Sequence, residues 1–219
     1  SYQERFWCGN VQAKDVVALY NRRGAFLDIQ VRIFTGFRQL TLHPFASSSR
    51  EGPRGAVIRW RLIDSEHYQN IGKQAARIHG LKSLGFIRDT AAGAYLRQTD
   101  LPGWHQMFGE RETEFRSFVA EYLDAHYLEM QQASLAGLVD QFLEAFEEMQ
   151  SNQQLLPMLN EAFVRDQAEE IHHHHFPSKE TLQFACHARY ILYGLHPDSA
   201  ADKVLIEGLA ASAVSDILL

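Results

Sequence analysis

Arginine is the residue type with the most chemistry to offer in the first part of this chain. Twelve of the 15 basic residues among positions 1–100 are Arg. A guanidinium clamps phosphate bidentately and reads the edge of guanine. Two short stretches set arginines in alternation with apolar residues. In FLDIQVRIF, 26–34, Ile29, Val31 and Ile33 alternate with Asp28, Gln30 and Arg32. In VIRWRLI, 57–63, Ile58, Trp60 and Leu62 alternate with Arg59 and Arg61. A period of two marks a half-buried strand. Paired with each other, the two would make a ribbon whose outward face carries Gln30, Arg32, Arg59 and Arg61. A two-stranded ribbon can enter the major groove of DNA. Arg22, Arg23, Arg38, Arg50 and Arg54 lie close by in sequence and add candidate phosphate contacts. The plainer reading is that any solvated sheet face carries charge.

The chain supplies a competing partner for those arginines. The net charge of −6 hides a split: residues 1–100 hold 15 Lys+Arg against 8 Asp+Glu, and residues 101–219 hold 6 against 19. Either the two halves neutralise each other in the fold, or the basic half meets nucleic acid or an acidic partner.

A second candidate is the run Glu169, Glu170, His172, His173, His174 and His175. Glu169–His172 and Glu170–His173 have the Glu-x-x-His spacing that places a carboxylate and an imidazole on one helical face. Di-iron bundles need that motif on two helices, with a further Glu from each of two others. No second clean Glu-x-x-His exists, and only His126, Glu144, Glu147, Glu148 and Glu161 offer complements. Histidines at a helix C-terminus also favour its dipole, which is the plainer role. Glu169, Glu170, His172 and His173 therefore stand as metal candidates behind a capping role. Cys186 and His187 are adjacent, so on a helix they point apart and make no nucleophile–base pair; Cys186 reads as a small buried residue. Phosphate loops, Gly-x-Ser-x-Gly elbows and zinc-type Cys pairs are absent from the sequence.

These residues need elements to hold them. The clearest is Gly103–Gln132, a long amphipathic helix with a broad aromatic stripe from Trp104 to Met130. Gly109 is its weak point. Ser134 caps a further expected helix, about 135–150. Shorter helices are expected at 13–23, at 65–84 behind Asp64 or Ser65 as cap, at 154–171, at 177–194 behind Ser178, and after Ser199. The Ser-, Gly- and Pro-rich segment 43–56 reads as an exposed loop, and 85–102 as a connection with room for a short strand or a helical turn. The sum predicts a mainly α multi-helix bundle built on one long helix, with a small two-stranded β element near the N-terminus. One domain is expected over 1–219, basic to about 100 and acidic from 101.

Three segments in order, DIQVRIFTGFRQL, RLIDSEHYQNIGKQAARIHGLKSLGFI and ETEFRSFVAEYLDAHYLE, resemble an uncharacterised bacterial and phage family of unknown function. Members of that family begin with a strand ending in a Ser/Thr-Gly turn. A capped helix ending at Gly-Phe follows, and then a long acidic helix. They are often encoded beside MoxR-type AAA+ ATPases and von Willebrand A-domain proteins. The resemblance covers residues 26–130. It implies a non-enzymatic component of a larger assembly and carries over no catalytic residue.

The expectation is a binding protein without a cofactor, contacting DNA or RNA through its basic part. A protein–protein subunit is the first alternative, and a metal-dependent bundle enzyme using His172–His175 the second. No apolar run approaches the roughly 18 residues of a membrane span. The opening SYQERFWCGN lacks the apolar core of a signal peptide. Two cysteines that form no framework suit a reducing, cytoplasmic compartment.

Overall fold

The helical period set up at Leu101 runs unbroken to Ser151, giving one helix of 51 residues. In chain order the elements of this computed structural model are α1 (Ala13–Arg23), β1 (Gly24–Arg32), β2 (Phe37–Leu42), β3 (Ala56–Arg61), α2 (Ser65–His79), β4 (Ile87–Thr90), β5 (Gly93–Arg97), α3 (Leu101–Ser151), α4 (Glu161–His175), α5 (Lys179–Ala185) and β6 (His187–Tyr193), followed by a helical segment, α6, at 202–209. The structure describes residues 13–34, 36–42, 56–151, 160–196, 199 and 202–209. None of the described helices is long and apolar enough to cross a membrane.

The expected mainly α bundle is corrected to an α+β fold. A four-stranded sheet, ordered β4-β5-β1-β6, draws strands from the N-terminal part, the middle and the C-terminal third. A separate two-stranded sheet is formed by β2 and β3. Strands are therefore spread through the chain rather than gathered near its start. The expected strand at 26–34 is found at Gly24–Arg32, but its partner is not 57–63. β1 pairs antiparallel with β5, Gly24 opposite Arg97 and Phe26 opposite Tyr95. β3 pairs with β2 instead. Alternation identifies a strand and its buried face; it does not name the neighbour.

β4 and β5 fall inside the expected connection. They are four and five residues long, too short for a periodic pattern to stand out. Thr90 closes their turn: its hydroxyl donates to the Gly93 carbonyl at 2.7 Å and accepts from the Ala92 N–H at 3.2 Å. Gly93 takes a φ of 110°, which suits glycine. The expected helix 177–194 holds only as far as Ala185. Ser178 caps it as expected, accepting from Thr181 N–H. Beyond Cys186 the chain becomes β6, where buried Ala188 and half-buried Tyr190 and Leu192 alternate with exposed Arg189, Ile191 and Tyr193.

Two expected helices merge. Ser134 caps nothing; it is a buried residue in the middle of α3. Gly109 does not break the helix either, and the Thr113 hydroxyl donates to its carbonyl at 2.8 Å. Asp64 does cap α2, accepting from the His67 N–H at 2.9 Å. Cys8, residues 43–55 and residues 152–159 lie outside the described residues.

The chain gathers into two compact units. One comprises Ser1–Val31, Ala75–Glu114 and Ala188–Leu219; the other comprises Arg32–Gln74 and Phe115–His187. The first has a core of Val17, Phe26, Tyr95, Leu195, Ile206 and Leu209. Within it, Tyr95 donates its hydroxyl to the Tyr20 carbonyl at 2.9 Å. The Asn21 amide bonds both the carbonyl and the N–H of Leu195. Gly24 stands tight against β5: a Cβ there would lie 2.1 Å from the Leu96 carbonyl oxygen. Gly24→Val is expected to lower stability by about 1–3 kcal/mol or more through overpacking. Urea unfolding of the variant against the parent protein measures it.

Candidate nucleic-acid interface

The β2–β3 hairpin sorts its residues cleanly by face. Directly opposed residues share a face. Phe37 opposes Arg61 and Gln39 opposes Arg59; Arg38 opposes Trp60 and Leu40 opposes Ile58. Ile58 and Trp60 are buried, while Phe37, Gln39, Arg59 and Arg61 are exposed. The outward face is therefore an Arg, Gln and Phe surface. Phe37 is 58 % exposed, and the Arg61 guanidinium carbon sits 5.0 Å from its ring centroid. The same guanidinium donates to the Ser65 hydroxyl. Two contacts thus set its position.

The inward face fastens the hairpin to α3. Trp60 is fully buried, and its Nε1–H donates to Ser134 Oγ at 3.0 Å. The Ser134 hydroxyl in turn donates to the Arg61 carbonyl at 3.2 Å. One small side chain therefore binds two consecutive residues of β3. The Trp60 ring also lies 5.5 Å from the ring of His172, which stacks on Phe176 at 4.9 Å.

Beside Arg61 lies a cleft of about 270 Å³, lined by Arg61, Asp64, Ala133, Ser134, Gly137 and Gln141. Next to it is a polar network. The His67 Nδ1 and the Tyr122 hydroxyl are 2.7 Å apart, and Asn70 donates to that hydroxyl at 3.1 Å. His67 Nε2 faces Asp64 at 3.5 Å and Glu129 at 4.0 Å.

The sequence-derived arginine set is only partly assembled. Arg59 and Arg61 share the hairpin's outer face. Arg38 belongs to the same hairpin but to the Trp60 face, and its Nη1 donates to His175 Nδ1 at 3.2 Å. Arg32 is exposed at the end of β1. Gln30 belongs to the other sheet; it donates to Asp28 at 3.0 Å and accepts from Arg189 at 2.9 and 2.8 Å. Arg50 and Arg54 lie outside the described residues. Among the described residues no carboxylate pairs with Arg32, Arg38, Arg59 or Arg61.

The charge split loosens in three dimensions. The unit holding the hairpin carries 10 Lys+Arg against 15 Asp+Glu, and the other carries 11 against 12. Acidic residues from α3 and α4 share a unit with the basic hairpin, so the positive character is local to the strand face.

Of the metal candidates, His172 is buried, whereas Glu169, Glu170 and His173 are exposed. Among the described residues no group of three His, Cys, Asp or Glu is placed to hold a metal ion. Cys186 is buried, and burial pushes its thiol pKa up.

Sequence reasoning missed Phe37, Gln141 and the internal role of Ser134. The last had a signal. Met130, Ser134 and Leu138 are spaced by four on α3, and a polar residue in an apolar stripe needs a buried partner. Scans against protein-family models, curated proteins and solved structures found no match to this chain.

Ser134→Ala removes the hydroxyl that serves both Trp60 and the Arg61 carbonyl. The Trp60 indole N–H keeps its second acceptor, the Ser134 carbonyl at 3.3 Å, so the expected loss is about 0.5–1.5 kcal/mol of stability, measured by urea unfolding. His172 gives a pH dependence. Its Nε2 is buried without a partner, and desolvation lowers its pKa below 6.5, partly offset by a backbone hydrogen bond to Gln131 and reinforced by His173. The unfolded chain therefore takes up the proton first. This contribution to stability is complete above about pH 6.5 and is lost as the pH falls from there toward the folded pKa. Unfolding midpoints measured from pH 7.5 down to 5 are expected to fall less steeply in His172→Phe than in the parent protein.

Proposed function

We propose that this protein binds nucleic acid through the outer face of the β2–β3 hairpin. One observation carries the reading: Arg59 and Arg61, with no carboxylate partner among the described residues, share a solvated strand face with Gln39 and Phe37. Arg supplies phosphate and base-edge contacts, Gln a base-edge amide, and an exposed aromatic a stacking platform. The hairpin backbone is held from behind by Trp60 and Ser134, so binding has only the exposed side chains left to order. In the sequence, Arg50 and Arg54 fall between the two strands.

A second reading is that of a subunit that docks on protein. Leu128 and Phe184, 68 % and 87 % exposed, favour it. The sequence resemblance to a family encoded beside AAA+ ATPases points the same way.

Fluorescence anisotropy with labelled DNA and RNA at about 50 and 200 mM salt separates the two. Hairpin binding is expected to weaken steeply with salt, and Arg59→Ala to lower affinity and reduce the salt slope by about one. Absence of binding at the lower salt sinks the hairpin reading. It leaves the docking role, in which Leu128→Ser with Phe184→Ser abolishes a stable co-complex.

A further inference from the structure

The inward side of the hairpin meets the histidine run of α4 at two places, and both contacts need a neutral imidazole. We propose that β2–β3 is latched onto α4 by His172 and His175, and that acidification opens the latch. The latch stands on these contacts; its effect on strand binding rests on the nucleic-acid reading, whose surface is the other side of the same hairpin.

His172 is the inner contact. Its ring lies 5.5 Å from that of Trp60 on β3 and stacks on Phe176 at 4.9 Å. It hydrogen-bonds the Gln131 backbone, and its buried Nε2 has no partner. Nδ1 is therefore the nitrogen that donates to the Gln131 carbonyl. A second proton has only Nε2 to go to, where nothing accepts from it. The groups facing the ring are Trp60 from β3, the Gln131 backbone from α3, and His173 and Phe176 from α4. None of these is an anion, and Glu169, one turn back on α4, is exposed. The proton finds neither acceptor nor counter-charge while the hairpin is closed, and finds water once Trp60 lifts away.

His175 is the outer contact, three residues further along α4. Arg38 Nη1 lies 3.2 Å from its Nδ1. A guanidinium only donates, so that Nδ1 is the bare nitrogen of a neutral ring. A proton there removes the acceptor and sets two cations side by side. Arg38 opposes Trp60 across the hairpin, so both histidines hold one cross-strand pair. The bond from Trp60 to Ser134 does not titrate in this range. Acid therefore weakens the attachment to α4 and leaves the helices intact. A two-stranded sheet is marginal without such support, and local opening starts at the least stable element.

The test is hydrogen exchange by mass spectrometry on the full chain at pH 7.5, 6.5 and 5.5, with exchange times scaled to the intrinsic rate at each pH. Opening of 56–61 is expected to rise on acidification, by up to about tenfold per pH unit for each proton taken up, while 110–130 of α3 keeps its protection. His172→Phe keeps an aromatic ring against Trp60 and is expected to remove most of the response. His175→Gln, an exposed change that leaves Arg38 an amide oxygen to bond, is expected to reduce it by itself. His174→Gln, which touches neither contact, is expected to change nothing. Opening of 56–61 that ignores pH overturns the latch, as does a response that survives His172→Phe combined with His175→Gln. Loss of protection in 56–61 and α3 together is global unfolding and overturns it too. Strand binding is followed alongside by anisotropy. Protonation of surface histidines by itself strengthens phosphate binding, whereas an open latch weakens it. The parent protein is thus expected to bind strands more weakly at pH 5.5 than at 7.5, and the double variant is not. Failure to bind at pH 7.5 sinks the nucleic-acid reading, and the exchange data then decide the latch separately.

Discussion

Everything proposed for the hairpin depends on the buried hydroxyl of Ser134. A two-stranded sheet is marginal in water on its own. This one persists because Trp60 is buried against helices and its indole N–H has a partner. The hydroxyl is both acceptor from Trp60 and donor to the Arg61 carbonyl, so its hydrogen-bonding capacity is largely used. The aromatic neighbours Trp60, His172 and Phe176 complete the inward side. The polar outward face follows from that anchoring, because in a strand what is not turned inward is turned to solvent.

Electrostatics here is decided at short range. Counted along the chain, the basic and acidic residues separate; counted over compact units, they mix. Screening confines exposed charges to about 8–10 Å at ordinary salt. A binding surface therefore needs locally clustered cations rather than a basic half. Arg59 and Arg61, two residues apart on one strand, meet that condition. Gln30, engaged with Asp28 and Arg189 in the other sheet, does not contribute to it.

The histidine run shows how one sequence feature divides in the fold. Helical spacing turns His172 inward and leaves His173, His174 and His175 exposed. His172 is then an apolar-packed ring with one bare nitrogen, and His175 meets Arg38. The four imidazoles share a sequence word but not an environment, because consecutive helical residues point about 100° apart.

The sequence by itself determined local structure wherever a period or a cap was long enough to read: α1, β1, β3, α2 behind its Asp64 cap, and most of α3. It also marked Arg59 and Arg61 as outward-facing, since strand alternation alone sets that. It allowed a short strand in the connection 85–102 but could not resolve β4 and β5 as a pair, since each is too short to show a period, and it did not disclose β6, which follows a genuine helix start at Ser178. Strand pairing was decided only in three dimensions. The neighbours of β1 are β5, some 70 residues away in the chain, and β6, farther still, and alternation is the same whichever strand lies beside it. The cleft was likewise invisible, because Arg61 and Asp64 lie more than 60 residues in the chain from Ala133, Gly137 and Gln141 and meet them only when Ser134 draws β3 onto α3. Local patterns are written by nearest neighbours along the chain; partners and pockets are written by packing, which brings together residues that carry no mark of each other.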